Sequence, residues 1–183
     1  MSHLPAPIAA SAGLRDGARI CLHMVGPEDR ACIADGFARL SPASRQSRFL
    51  RPISRLDGPT LDYLTQIDGS RHLAVAASTD DDEPVGLARC VRLTEEPDVA
   101  EVAVTVLDDW QRRGVAPVLV TELARWADAV AIRKFRALFG YDNRAIARLL
   151  SSAGVPFVHD GGGMLRADIE VAAILKFAAP ASA

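Results

Sequence analysis

The sequence predicts an α+β fold in which a meander of antiparallel strands is followed by alternating strands and helices. Leu73, Val75 and Ala77 alternate with smaller residues, as in a strand with one buried face. Further along the chain, apolar residues recur at spacings of four, three and four, which is typical of a helix that packs on a sheet. These residues are Leu119, Leu123, Trp126 and Val130.

Composition favours a single soluble domain. A chain of 183 residues with 49% hydrophobic residues can bury one core, so we expect one domain over residues 15–177, with a disordered tail at 1–14 and a second tail at 178–183. A net charge of -2 gives no general attraction for nucleic acid or a membrane surface, and neither is an expected partner. No signal peptide, spanning segment or close cysteine pair is predicted, so the expected location is the cytoplasm. The oligomeric state is left open.

The first half of the chain contains helices and then the meander. Pro27 can begin a helix because the first N–H groups of a helix have no partner within it, and Ser41-Pro42 is predicted to end that helix. The third strand of the meander is rich in valine, which favours a central place in the sheet. The predicted strands are 18–24, 72–77, 85–93 and 100–107, and the predicted helices are 26–40 and one that begins at 57–59.

The second half alternates between helices and strands. A loop at 108–114 leads into a helix at 116–130, and Asp142 or Asn143 is predicted to cap a later helix that stops at Gly154. Strands are predicted at 135–139, 155–159 and 165–175.

Residues 102–117 combine a valine-rich strand, a short polar loop and the start of a helix. The first N–H groups of a helix lack intrahelical partners and the helix dipole adds positive potential, so this arrangement predicts an anion site. Gly114 and Ala116 permit close approach of a ligand. The glycine spacing and the Lys-Ser/Thr ending of a P-loop are missing, which argues against a nucleotide triphosphate.

Gln111-Arg112-Arg113-Gly114-Val115-Ala116 resembles the signature of the GNAT superfamily of N-acetyltransferases. The strand before it, Asp108-Asp109-Trp110 and the segment 143–154 lie where that family has their counterparts. The resemblance implies a mixed, mostly antiparallel central sheet with helices on both faces. It also implies acetyl-CoA or another acyl-CoA as co-substrate, an amine as acceptor and no metal.

A narrower resemblance is to bacterial protein lysine acetyltransferases, which implies a protein lysine as acceptor. Five short segments support it: Leu40-Ser41-Pro42, Ser44-Arg45, Arg48-Phe49, Ile67-Asp68 and Ala100-Glu101-Val102-Ala103.

Carried over to this sequence, the resemblance implies a set of cofactor-binding residues. Val104, Thr105 and Val106 would provide backbone groups to the pantetheine arm, and Asn143 would contact the same arm. The pyrophosphate would lie at Arg112, Arg113, Gly114, Val115, Ala116 and Pro117, and Gln111 belongs to the same cofactor-binding set. Taken alone, Gly114 could serve only a tight turn and Asn143 could be only a helix cap.

The predicted catalytic residue is Glu101. A lysine amine has a pKa of about 10.4 and must lose a proton before it attacks a carbonyl. Glu101 shares a strand face with Ala103 and Thr105 and matches the general base of the lysine acetyltransferases, although a salt-bridged or solvated glutamate is the alternative. The position where many relatives have a tyrosine acid is Leu150, so a side-chain acid stays open.

Three other functions compete with acetylation of a protein lysine. Acetylation of a small amine, an acyl-CoA sensor that has lost its chemistry, and an interaction module with no cofactor are the alternatives. A solvated face is preferred to an acidic-substrate surface for the basic set Arg45, Arg48, Arg51 and Arg55. His72 and His159 lack metal-ligand spacing and are expected to be structural.

Overall fold

An eight-stranded sheet forms the centre of the computed structural model, which describes residues 10–50 and 53–178. The strands are β1 (Ala10–Gly13), β2 (Arg19–Met24), β3 (His72–Ser78), β4 (Pro84–Arg92), β5 (Val99–Val106), β6 (Lys134–Gly140), β7 (Val158–Gly161) and β8 (Met164–Glu170). Their order is β1-β2-β3-β4-β5-β6-β8-β7, and every pair is antiparallel except β5 with β6. The predicted mixed, mostly antiparallel sheet is confirmed.

Helices cover both faces of this sheet, as expected. They are α1 (Arg30–Arg39), α2 (Pro42–Phe49), α3 (Gly58–Thr65), α4 (Val115–Ala129), α5 (Arg144–Ser152) and α6 (Val171–Ala178). Residues of α1, α2 and α3 line pockets together with Leu87, Arg89 and Thr105 on one face. On the other face, α4 and α6 belong to a core that contains Phe135, and α5 packs on Phe139, four residues further along the same strand.

The main core lies between α4 and the strands β2 to β6. Leu119, Leu123 and Trp126 of α4 are fully or almost fully buried there, which confirms the amphipathic helix that their spacing predicts. None of the helices in the described ranges is long and apolar enough to cross a membrane.

Two helices, α2 and α6, were not predicted from the sequence. Ser41 is the N-cap of α2 and accepts a hydrogen bond from the Ser44 N–H at 3.2 Å, with Pro42 in the first turn, so Ser41-Pro42 ends one helix and begins the next. The strand predicted at 165–175 ends at Glu170, and α6 follows. Ile174 and Leu175 then pack on the main core from a helix rather than a strand.

The predicted tails are partly outside the described residues. Within the first of them, Ala10–Gly13 forms β1, which pairs with β2 around a turn closed by the Leu14 N–H and the Ala18 carbonyl at 2.8 Å. Residues 1–9 and 179–183 lie outside the described ranges, as does Arg51 of the basic set.

Candidate active site

The strands β5 and β6 separate halfway along their length. They pair only from Val99 with Lys134 to Val102 with Ala137. Beyond that point residues 103–106 pair with β4 alone, and residues 138–140 pair with β8 alone. The edge of β5 at Val104, Thr105 and Val106 therefore faces a gap in the sheet, within the part of the chain that the structure describes.

Unpaired backbone N–H groups follow this gap. A 3-10 turn at Asp108–Trp110 leads into the 111–114 loop, in which Arg112 has φ 62° and Gly114 has φ 98°. Gly114 then serves as the N-cap of α4 and has no side chain to bind the first N–H groups. From Arg112 to Ala116, no backbone N–H donates to another described residue. Five successive free donors at the positive end of a helix dipole suit a pyrophosphate.

Pro117 contributes differently from what the motif implies. It has no N–H, so it cannot donate to an anion, and its fixed φ favours the first turn of α4.

Gln111 connects the loop to two other elements. Its Nε2 donates to the Val106 carbonyl at 3.2 Å and to Ser44 Oγ of α2 at 3.3 Å. Asp108 binds the same helix, since it accepts from Ser41 Oγ at 2.8 Å and from Ser44 Oγ at 2.9 Å. The side chain of Gln111 thus fixes the position of the loop.

The β1–β2 turn also contacts the loop, which the sequence did not indicate. The Arg113 guanidinium pairs with Asp16 and lies 3.9 Å from the centre of the Trp110 ring. The hydrogen bond from Arg113 lowers the pKa of Asp16. The aliphatic part of the Arg15 side chain lies close to Gly114.

Asn143 is the N-cap of α5. Its Oδ1 accepts a hydrogen bond from the Ile146 N–H at 3.2 Å, so this oxygen caps the helix, as the alternative for Asn143 predicts. The Nδ2 group donates to no other described residue.

Glu101 lies in a cleft of about 550 Å³ on the face covered by α2 and α3. We call this the β5 cleft; it is lined by residues that include Arg48, Tyr63, Arg89, Glu101 and Ala103. Glu101 is exposed and forms no ion pair with any residue in the described ranges. The contacts of Glu101 do not support the salt-bridged alternative, and its exposure fits the solvated alternative as well as a catalytic base.

The cation opposite Glu101 in the sheet is bound to other carboxylates. Arg136 lies opposite Glu101 in the sheet register, but its guanidinium binds Asp168 at 2.8 Å and also binds Glu96. These hydrogen bonds raise the pKa of Arg136, so its charge is already compensated.

Three further residues complete the cleft, and the sequence did not single out two of them. Arg89 donates to the Tyr63 hydroxyl at 2.9 Å and lies 4.6 Å from the centre of its ring. Arg48 comes from α2, and burial together with the positive charge of Arg89 lowers its pKa to about 10. Tyr63 and Arg89 stand in unrelated segments with no motif, and only strand register and helix packing bring them together.

The other members of the basic set have different positions. Arg45 binds the carbonyls of Leu40, Ser54 and Ala38, which is a structural role. Arg55 is exposed on the loop before α3.

Leu150 is a core residue, 6% exposed, and packs with Phe139. Tyr141 is 70% exposed at the end of β6.

The chain belongs to the acetyltransferase (GNAT) family, whose sequence profile matches residues 42–154, and it is an enzyme of that class. An acetyltransferase of Pseudomonas aeruginosa is 33% identical over 147 residues, which cover 77% of each chain. The GNAT domain of PAT from S. lividans is 27% identical, with a TM-score of 0.84 over 91% of this chain and 98% of that domain.

The acetyltransferase Pat of Mycolicibacterium smegmatis is 28% identical over 159 residues. That match covers 86% of this chain but 47% of Pat, so the chain spans about half the length of this relative.

Proposed function

We propose that the chain transfers an acetyl group, or another acyl group, from acyl-CoA to a lysine side chain of a protein by direct attack in a ternary complex. The observation that carries this proposal is an exposed, unpaired Glu101 on the same strand that leads to the free N–H groups. Glu101 precedes Val104 by three residues, or about 10 Å at the usual rise of a strand.

The free donors from Arg112 to Ala116 would hold the pyrophosphate, and the open edge of β5 would hold the pantetheine arm. Both surfaces consist of backbone groups with no other described partner, which fits a ligand with acceptor oxygens and amides. Acyl-CoA supplies an activated acyl group and a thiolate leaving group.

Glu101 would take a proton from the lysine ammonium. Its exposure lets the proton pass on to solvent, and its open cleft admits a side chain from a large partner. Leu150 cannot act as an acid, and a thiolate with a pKa of about 8.5 can be protonated by solvent.

Glu101→Gln tests the proposed base. We expect turnover of acetyl-CoA with a lysine-containing protein to fall by about two to four powers of ten, because an amide cannot accept the proton. Affinity for acetyl-CoA, measured by calorimetry, should stay the same. Glu95→Gln removes an equal charge from the exposed β4–β5 turn and should leave turnover unchanged.

Two other outcomes are informative. Unchanged turnover in Glu101→Gln would exclude Glu101 as the base. A wild-type protein that binds acetyl-CoA but acylates no amine would fit the sensor alternative instead.

A further inference from the structure

Arg48 is a charged side chain that no carboxylate binds directly. It lies at the wall of the β5 cleft, partly buried, with its guanidinium carbon 4.9 Å from the centre of the Phe49 ring. It forms no hydrogen bond or ion pair with any residue of 10–50 or 53–178. A cation that is partly withdrawn from water, and that no carboxylate binds directly, costs free energy that a bound anion would offset.

A second guanidinium lies in the same cleft. Arg89 is held by the Tyr63 hydroxyl and ring, neither of which has a negative charge. The two positive charges repel each other, and this repulsion adds to burial in lowering the pKa of Arg48. An anion bound between the two groups would remove the repulsion.

Two carboxylates also line the cleft. Asp57 is the N-cap of α3, with its Oδ1 2.9 Å from the Thr60 nitrogen, so its position is set by that helix. Glu101 must accept a proton in the proposed function, and a bound guanidinium would hinder that. Within the described part of the chain Glu101 forms no ion pair with Arg48 or Arg89, although its negative charge acts on Arg48 and favours the charged form of that guanidinium.

We propose that Arg48 and Arg89 form an anion subsite beside Glu101, which binds a carboxylate of the acceptor a few ångströms from the amine that is acylated. This inference rests on the proposed function and specifies its substrate class: an amine accompanied by a carboxylate. Guanidinium groups bind carboxylates through paired, charge-assisted hydrogen bonds. On a protein the carboxylate belongs to an Asp or Glu next to the lysine, and on a small acceptor it is the molecule's own.

The test compares acceptors that differ only in the carboxylate. One pair is a capped peptide with Glu on both sides of its lysine and the same peptide with Gln in those places. The other pair is free lysine and cadaverine, which lacks the carboxylate. For wild type we expect kcat/KM to favour the acidic member of at least one pair by about tenfold, or about 1.4 kcal/mol.

Variants of Arg48 test whether the preference for the acidic acceptor arises at the subsite. Arg48→Gln should reduce the ratio to about one, and Arg48→Lys should keep a clear part of it because the charge remains. Arg148→Gln is the matched control, since it removes a positive charge from an exposed position on α5 at the opposite face of the sheet, and it should keep the full ratio. Melting temperatures of all variants show that they fold.

A higher kcat/KM for the acidic peptide would show that the bound carboxylate belongs to a residue next to the lysine. A higher kcat/KM for free lysine than for cadaverine would show that it belongs to the acceptor molecule itself. Equal kcat/KM within both pairs would overturn the subsite and leave the proposed function intact. If wild type acylates none of the four compounds, their binding to the CoA-saturated protein is titrated. If wild type binds the acidic member of a pair more tightly and Arg48→Gln abolishes that difference, the subsite is supported although the proposed lysine acceptor is not. Equal binding of the two members would overturn both the subsite and the proposed acceptor.

Discussion

His72 is buried at the start of β3, and its ring lies 5.2 Å from the ring of Tyr63. Its Nε2 has no hydrogen-bond partner among the described residues. Burial, together with the positive charge of Arg89, lowers the pKa of His72 to about 4. The ring is therefore neutral at pH 7 and helps to hold Tyr63, which in turn holds Arg89. The expected structural role fits these contacts.

This depressed pKa predicts a loss of stability in acid. Below a pH of about 6.5 the unfolded chain binds a proton at His72 that the folded chain binds only near pH 4. The free energy of unfolding should fall by up to about 3 kcal/mol as the pH drops from 6.5 to 4. Urea unfolding at several pH values measures this, and His72→Gln should remove that part of the pH dependence. An equal slope in both proteins would contradict it.

At the scale of elements, the 111–114 loop and the N-terminus of α4 form one unit. Gly114 has φ 98°, and a Cβ there would meet only Arg15 at 3.9 Å, so a side chain fits sterically but strains the backbone. Gly154, at the end of α5, is similarly left-handed and open.

Gly114→Glu should therefore weaken acetyl-CoA binding by at least about tenfold, because it adds negative charge beside the free N–H groups. Gly154→Glu introduces comparable strain and the same charge at the end of another helix, and it should keep wild-type affinity. Calorimetric titration of both variants decides the matter. Equal affinity in wild type and Gly114→Glu would remove the argument for an anion site.

The same elements show what sequence reasoning can reach. The strand, loop and helix at 99–129 follow from consecutive residues, since valine content, a glycine and a 3.6-residue period are local signals. The helix α2 was missed because Ser and Pro favour both the end of one helix and the start of another. The Asp16–Arg113 pair and the position of Arg89 beside Arg48 depend on strand register and helix packing, which a single sequence does not encode locally.

At the scale of the whole molecule, one core connects most of the sheet. It reaches from Leu14 near β1 to Val171 at the start of α6, with Phe135 of β6 at 0% exposure. The gap between β5 and β6 is therefore framed by strands that belong to a common packed layer.

Phe135→Ala should lower the free energy of unfolding by about 3 to 5 kcal/mol, because it leaves a cavity in a packed core. That is a large part of the total for a domain of this size, which is about 5 to 15 kcal/mol. Phe177→Ala is the matched control: Phe177 is 82% exposed on α6, and its loss should change stability by less than about 0.5 kcal/mol. Denaturant titration compares them, and similar values for both would contradict a continuous core.

The gap in the sheet affects which parts of the sequence can change between relatives. The surfaces assigned to the cofactor consist of peptide groups, and peptide groups are the same in every sequence. Such a surface is inherited through the path of the chain, so many side chains along it are free to change while the ligand stays the same. In the β5 cleft the proposed chemistry belongs to individual side chains, so a substitution there changes what the cleft can bind. Under the proposed function, acceptor choice would then change between relatives through a few substitutions, on a fold that persists at 27% identity with a TM-score of 0.84.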